Sequence, residues 1–248
     1  MEQGEIVGGF HAVRAALGGG AEVLGLWLDR QRRDARVRDL RALAAQAGVT
    51  VELVAREVLD RMAPGVNHQG VVARCRGSVA RDEGALRVLV EGLAGPALLL
   101  VLDEVTDPHN LGACLRTAAA AGADAVIAPR DRAAGLTATA RKVAAGTAEW
   151  LPFFQVTNLA RTLGWLAERG VWCVGLAGDA AQTLAEADLA GPLALVLGSE
   201  GRGLRRLTRE RCDLLLRIPL DARVESLNVS VAAGVALFEA RRQRGSNG

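Results

Sequence analysis

The 248-residue chain has no tyrosine, four tryptophans and four phenylalanines, and only three histidines and four cysteines. So few aromatics argue against a stacking platform of the kind that holds single-stranded nucleic acid. His11, His68 and His109 show no metal-ligand spacing, so no metal is expected. Cys75, Cys114, Cys173 and Cys212 lie far apart and form no CxxC pair. They read as buried thiols in a reducing compartment. Unbroken apolar runs are short, as in Ala97 to Leu102, and fall well below a membrane span. The opening MEQGEIVGGF lacks the charged-then-apolar pattern of a signal peptide. A soluble, cytoplasmic protein is therefore expected, with no membrane partner. Lysine is almost absent: Lys142 stands alone among 30 basic residues. The plain reading of that imbalance is GC-rich codon usage. Arginine nevertheless grips phosphate through a planar fork and stacks on bases, as lysine does not. The net charge of +2 is too small to establish a nucleic-acid partner by itself. An RNA reader of this composition would rely on arginine, backbone groups and shape.

Half of the residues are hydrophobic, and the length allows one large or two small domains. The first 75 residues alternate strand and helix signals. Val23 to Asp29 is a strand candidate, and a charged helix is predicted over roughly Gln31 to Ala47, with Gly48 as its stop. Val49 to Ala55 and Gly70 to Cys75 complete a small α/β domain, with a short helix between them that ends at Pro64-Gly65. Residues 76–95 read as a linker with one helical segment. From residue 96 the strand candidates become continuous apolar runs: ALLLVLD, DAVIAP, WCVGLAG, PLALVLG and DLLLRIPL. Such runs, separated by helices, predict a parallel sheet buried on both faces in a second domain, 96–248. Helices are predicted to start near Asn110, Thr137, Asn158, Gly203 and Ser226.

Three segments join an apolar run to a polar cluster where a strand should end and a helix begin, the usual ligand position in open α/β sheets. In DPHNLGACLRTA (Asp107 to Ala118), Pro108 stops one element and Asn110 is placed to cap the next. Asn110 and Arg116 are either a cap and a solvated side chain or two groups of one cleft. In LVLGSEGRGLRRLT (Leu195 to Thr208), a glycine-rich turn follows a strand, which is a weak signal alone. G-S-E-G-R-G is not GxGxxG, and its late place in the chain argues against a dinucleotide-binding dehydrogenase. Bare glycines let backbone approach a ligand closely, while Glu200 in the turn is hard to explain as packing. In IPLDARVESLNVSVA (Ile218 to Ala232), Ser226 and Asn228 suit a helix's first turn. No nucleophile elbow or Walker loop is present.

Together these segments resemble the signature of the SpoU (TrmH-type) ribose 2′-O-methyltransferases, the knotted SPOUT class. Ile6 to Leu17, Asn67 to Arg74, Leu151 to Leu163, Leu207 to Asp213 and Val235 to Arg244 are similar to the branch that methylates a guanosine of bacterial 23S rRNA. The third segment matches residue by residue, with Ala222 where many members have glycine. The resemblance implies a deep trefoil knot and S-adenosylmethionine as cofactor. It further implies 23S rRNA as partner and a homodimer built on the last helix. By the resemblance Leu197, Gly198, Ile218 and Leu227 hold the cofactor. Asn110, Glu200, Ser226 and Asn228 shape the site, and Arg116 orients the ribose or its phosphate. Arginine is the base proposed for this family, but a guanidinium resists deprotonation, so an RNA phosphate or a water is the other acceptor. His109 is not required by the pattern. A tRNA methyltransferase of the same family and an RNA-binding relative without catalysis are the alternatives.

Overall fold

The computed structural model describes residues 5–18, 23–75 and 80–245. The chain forms two compact units, Met1–Val79 with Ala145–Trp150, and Ala80–Ala144 with Leu151–Gly248.

The first unit runs β1 (Glu5–Gly8), α1 (Phe10–Gly18), β2 (Val23–Asp29), α2 (Ala35–Gln46), β3 (Val51–Val54), α3 (Arg56–Met62) and β4 (Val71–Cys75). Its sheet has the order β1-β4-β2-β3, with β4 antiparallel to both neighbours and β2 parallel to β3. Strand alternation sends Leu26 and Leu28 into a core with Val13, Val37 and Leu40. Trp27 points the other way, against Leu59 of α3. The charged helix starts at Ala35 rather than near Gln31, because Asp34 is the residue whose side chain accepts from the Val37 N–H.

The second unit runs α4 (Glu83–Glu91), β5 (Leu98–Asp103), α5 (Pro108–Ala121), β6 (Ala125–Pro129), α6 (Ala138–Ala144), β7 (Phe153–Val156), α7 (Leu159–Glu168), β8 (Trp172–Leu176), β9 (Gln182–Thr183), β10 (Leu193–Gly198), α8 (Arg206–Glu210), β11 (Leu214–Arg217) and α9 (Val229–Gly245). Seven strands lie in the order β7-β6-β5-β10-β8-β11-β9, and every pairing is parallel. All residues of β5 and β6 are buried, as a sheet covered on both faces requires. The short strands β7 and β9 were not among the predicted runs. Packing places α4 in this unit: Leu86 is fully buried in its core, and Arg81 bridges to Phe154. That helix occupies much of the stretch read as a linker, whose residues 76–79 lie outside the described ones.

Three helix starts of this unit differ from the sequence reading, and one of them is α8, which begins at Arg206, three residues after Gly203. α5 is capped by Asp107, which accepts from the His109 N–H, with Pro108 in the first turn. Proline is favoured there because its missing N–H would be unbonded anyway. Asn110 is therefore inside the helix and its side chain is free for other work. α9 begins at Val229, three residues after Ser226. Asn228 precedes it and accepts from the Ser230 N–H at 2.9 Å, which is the capping role. Cys75, Cys114 and Cys173 are buried, whereas Cys212 is only partly so. Among the described residues no helix is long and apolar enough to cross a membrane.

Candidate active site

Because β5, β8, β10 and β11 are parallel, their C-terminal ends share one edge of the sheet. The loops leaving β8, β10 and β11 line a cavity of about 440 Å³ at that edge. Leu197, Gly198, Glu200, Ile218, Ser226 and Leu227 are all among its lining residues. The close fold-back of the β10 loop requires glycine at position 198. A Cβ there would stand 2.0 Å from the Gly203 carbonyl carbon and 2.4 Å from the Leu204 nitrogen. The loop folds back so closely that Ser199 and Gly203 form an isolated bridge, with the Gly203 N–H donating to the Ser199 carbonyl at 2.9 Å. Gly201 and Gly203 both hold positive φ, +81° and +67°, which side chains rarely tolerate.

Glu200 is where the three sequence segments meet. Its Oε1 accepts from Asn110 Nδ2 at 3.0 Å, from Asn228 Nδ2 at 2.6 Å and from the Val229 N–H at 3.3 Å. Asn228 Nδ2 also donates to Asn110 Oδ1 at 2.9 Å, closing a triangle. The other face of Asn228 is used as well, since its Oδ1 accepts from the Ser230 N–H and from Ser230 Oγ. Glu200 thus sits at the positive end of α9 and ties it to the start of α5. Beneath it, Cys114 has its thiol pushed up to about 12, by burial first and by the Glu200 charge second.

Arg116 lies on the exposed side of α5 and does not line the cavity. It makes no hydrogen bond or ion pair among the described residues. His109 is also exposed, with its Nδ1 3.1 Å from Asp107. Among the described residues no group of three or more His, Cys, Asp or Glu side chains could hold a metal ion.

Residues 97–238 match the SpoU rRNA Methylase family, and residues 6–78 match the RNA 2′-O ribose methyltransferase substrate-binding family. The 23S rRNA (guanosine-2′-O-)-methyltransferase RlmB of Pseudomonas aeruginosa is 56% identical over 245 residues, 98% of each chain. The chain belongs to the SpoU family. The protein of the same name from Ralstonia nicotianae is 53% identical over 98% of each chain. The SpoU methyltransferase AviRb from Streptomyces viridochromogenes, solved in complex with AdoMet, superposes with a TM-score of 0.76 at 25% identity, covering 98% of this chain and 91% of its own. A TrmH/SpoU tRNA modifying enzyme from A. aeolicus covers only 66% of this chain and 85% of its own, with a TM-score of 0.55 at 29% identity.

The SpoU signature segments supplied two walls of the cavity; the third was missed. Leu176, Ala177, Gly178 and Asp179, leaving β8, also line it. Across the cavity Arg209 of α8 meets Asp179 with two bonds of 2.9 and 3.0 Å. The Arg209 side chain holds the exposed Asp179 carboxyl below the usual carboxylate range. The only sequence signal was that GLAGDA ends a predicted strand on the ligand-binding edge.

Proposed function

We propose that this chain is an S-adenosylmethionine-dependent methyltransferase acting on the ribose 2′-OH of a guanosine in 23S rRNA. The observation that carries the reading is the convergence of three distant segments on one carboxylate, Glu200, beside a cavity of ligand size. The guanosine and the 23S rRNA come from the relatives' names. Relatives with those names span nearly the whole chain, whereas the tRNA modifying neighbour covers only two thirds of it. That difference in coverage favours the ribosomal substrate over tRNA.

The cavity fits the cofactor by size and by chemistry. Its apolar wall includes Leu197, Ile218 and Leu227, and its polar rim carries Asp179, Glu200 and Glu225 with Arg202 and Arg209. A ligand bearing a cation and a carboxylate on an apolar body suits such a set. Leu197, Gly198, Ile218 and Leu227 would hold it, with Gly198 bringing bare backbone close. When bound, the cofactor supplies the electrophilic methyl carbon.

The chain's own part is orientation. Asn110, Glu200 and Asn228 fix the floor of the site as one bonded unit, and Ser226 lines the wall beside Leu227. Arg116 holds the ribose or its phosphate by its planar fork. It does not serve as the base, since a guanidinium keeps its proton. A phosphate of the RNA or a water takes the hydroxyl proton. Holding the hydroxyl in line with the methyl carbon supplies much of the rate.

The N-terminal residues 1–75 bind the RNA, and the arginines of Arg30 to Arg41 contact phosphates. Work on ribosomal RNA places the enzyme in the cytoplasm. The C-terminal unit carries a trefoil knot, and two copies pair through α9, which exposes Val231, Val235 and Phe238 along one stripe. Titration with S-adenosylmethionine followed by methyl transfer to purified 23S rRNA and to tRNA tests the reading. Binding with label in 23S rRNA supports it. Label in tRNA alone moves the substrate, and binding to RNA without label removes the catalysis.

A further inference from the structure

We propose that Asp103 is a positioning residue for this reaction: acting through Arg205, it locks shut the loop that carries Glu200. The proposal rests on the methyltransferase reading above.

Asp103 closes β5, and in the β5–β10 register it lies opposite Gly198. The chain leaves β10 at Gly198, makes the tight excursion 199–204, and returns. On its return the Arg205 N–H donates to Asp103 Oδ2 at 2.9 Å. The Arg205 guanidinium meets Asp103 Oδ1 through Nε and Nη2, each at 2.6 Å. Both ends of the loop are therefore fastened at one residue. Neither Asp103 nor Arg205 lines the cavity, so neither is placed to touch a bound cofactor.

Two features distinguish this pair from the many surface ion pairs of the chain. The first is burial. The Asp103 side chain has 0% exposure at the end of a strand that is otherwise LLLVL. A buried charge is costly unless fully paired, and packing alone would be better served there by an apolar residue. The second is backbone. Glu104 holds φ at +58°, in the left-handed region. Successive strand side chains alternate between faces. At Glu104 that alternation is broken, and the Glu104 carboxylate comes within ion-pair range of the same arginine, 3.7 Å from Arg205 Nη1. Unfavourable backbone of this kind persists where surrounding structure requires it. Asp103 thus binds Arg205 directly, while the Glu104 carboxylate stands between Arg205 and Arg132, whose Nη1 is nearer at 3.4 Å. Arg205 is also the residue before α8, so the contact with Asp103 fixes the point where the loop enters that helix.

The test uses the full chain with Asp103→Asn, Arg205→Gln and Arg205→Lys, each checked for a cooperative thermal transition. Arg205 is partly exposed, so its variants remain informative if Asp103→Asn does not fold. Amide hydrogen exchange at Gly201 to Leu204 reads the lock without any ligand. Exchange about tenfold faster in Asp103→Asn and Arg205→Gln, with β6 unchanged, is expected for loss of a bond to a charged group. Affinity for S-adenosylmethionine should fall by about the same factor, and kcat should fall with it. Arg205→Lys should recover part of each loss. The double variant should be no worse than the poorer single one, because both remove the same link. Loop exchange at the wild-type rate overturns the proposal, as does an opened loop with wild-type affinity and kcat. A wild-type chain that fails to bind S-adenosylmethionine instead contradicts the functional reading, and the exchange result still decides the lock.

Discussion

Gly198→Ala puts the geometry of the cofactor loop to its sharpest test. The added Cβ would meet the Gly203 carbon at 2.0 Å, its oxygen at 2.1 Å and the Leu204 nitrogen at 2.4 Å. All three are backbone atoms, so no side chain can swing aside. Ordinary contact begins at 3.4 Å, so the returning arm of the loop must retreat by about 1.4 Å. Misplacement on the order of 1 Å costs about 100-fold in a positioned reaction, or roughly 2.7 kcal/mol of transition-state stabilisation. The strain should also cost roughly 1–3 kcal/mol of fold stability, as overpacking does. Steady-state methyl transfer and thermal unfolding should be measured on the same preparation. The expected result is a kcat/KM lowered by about two orders of magnitude in a protein that still unfolds cooperatively. A variant with kcat/KM within about threefold of the parent would refute the argument, because the loop could then tolerate displacement without catalytic loss.

Other perturbations follow from the same site. Glu200→Ala removes the acceptor shared by Asn110, Asn228 and the Val229 N–H, and should lower turnover by more than Asn110→Ala does alone; equal losses would deny Glu200 its central place. Arg116→Ala should abolish turnover with cofactor affinity nearly intact, and Arg116→Lys should also be poor, because a point charge lacks the planar fork. Wild-type turnover in both would return Arg116 to the solvated face of α5. Phe238→Asp, on the exposed stripe of α9, should convert a dimer to a monomer in light scattering; a parent that is already a stable, active monomer would remove the dimer from the account. Raising the pH should weaken the fold: burial pushes the Cys114, Cys173 and Cys212 thiols from 9.0 up to about 12. Between those values the unfolded chain has released protons that the native chain keeps, so the native state binds more and stability must fall as pH rises. Urea midpoints that stay level from pH 9 to 11 would contradict this.

The continuous apolar runs gave away β5, β6, β8, β10 and β11, because none of them carries a polar alternation to obscure it, although only β5 and β6 are buried throughout. Strand β7 was harder. It has four residues, one of them the partly buried Gln155, and is too short for periodicity to resolve. The start of α5 was misplaced because Asn110 and Asp107 are both good caps, and only the fold shows Asp107 in that role. That correction explains Asn110, whose amide is released to bond Glu200 ninety residues away in sequence. No local pattern encodes that meeting. It depends on β5 and β10 lying side by side although seven helices and strands separate them in the chain. Asp179 and Arg209 were missed for the same reason: each is an ordinary surface residue until β8 and α8 are brought together.

The most direct test is to incubate the purified chain with methyl-labelled S-adenosylmethionine and protein-free 23S rRNA, then digest the RNA and locate the label by mass spectrometry. The expected product is 2′-O-methylguanosine at a single position of 23S rRNA, formed about 100-fold more slowly when Gly198→Ala replaces the parent at equal concentration, and also more slowly with Glu200→Ala. Label on a base, label on a ribose other than guanosine's, or label in tRNA with none in 23S rRNA would contradict it.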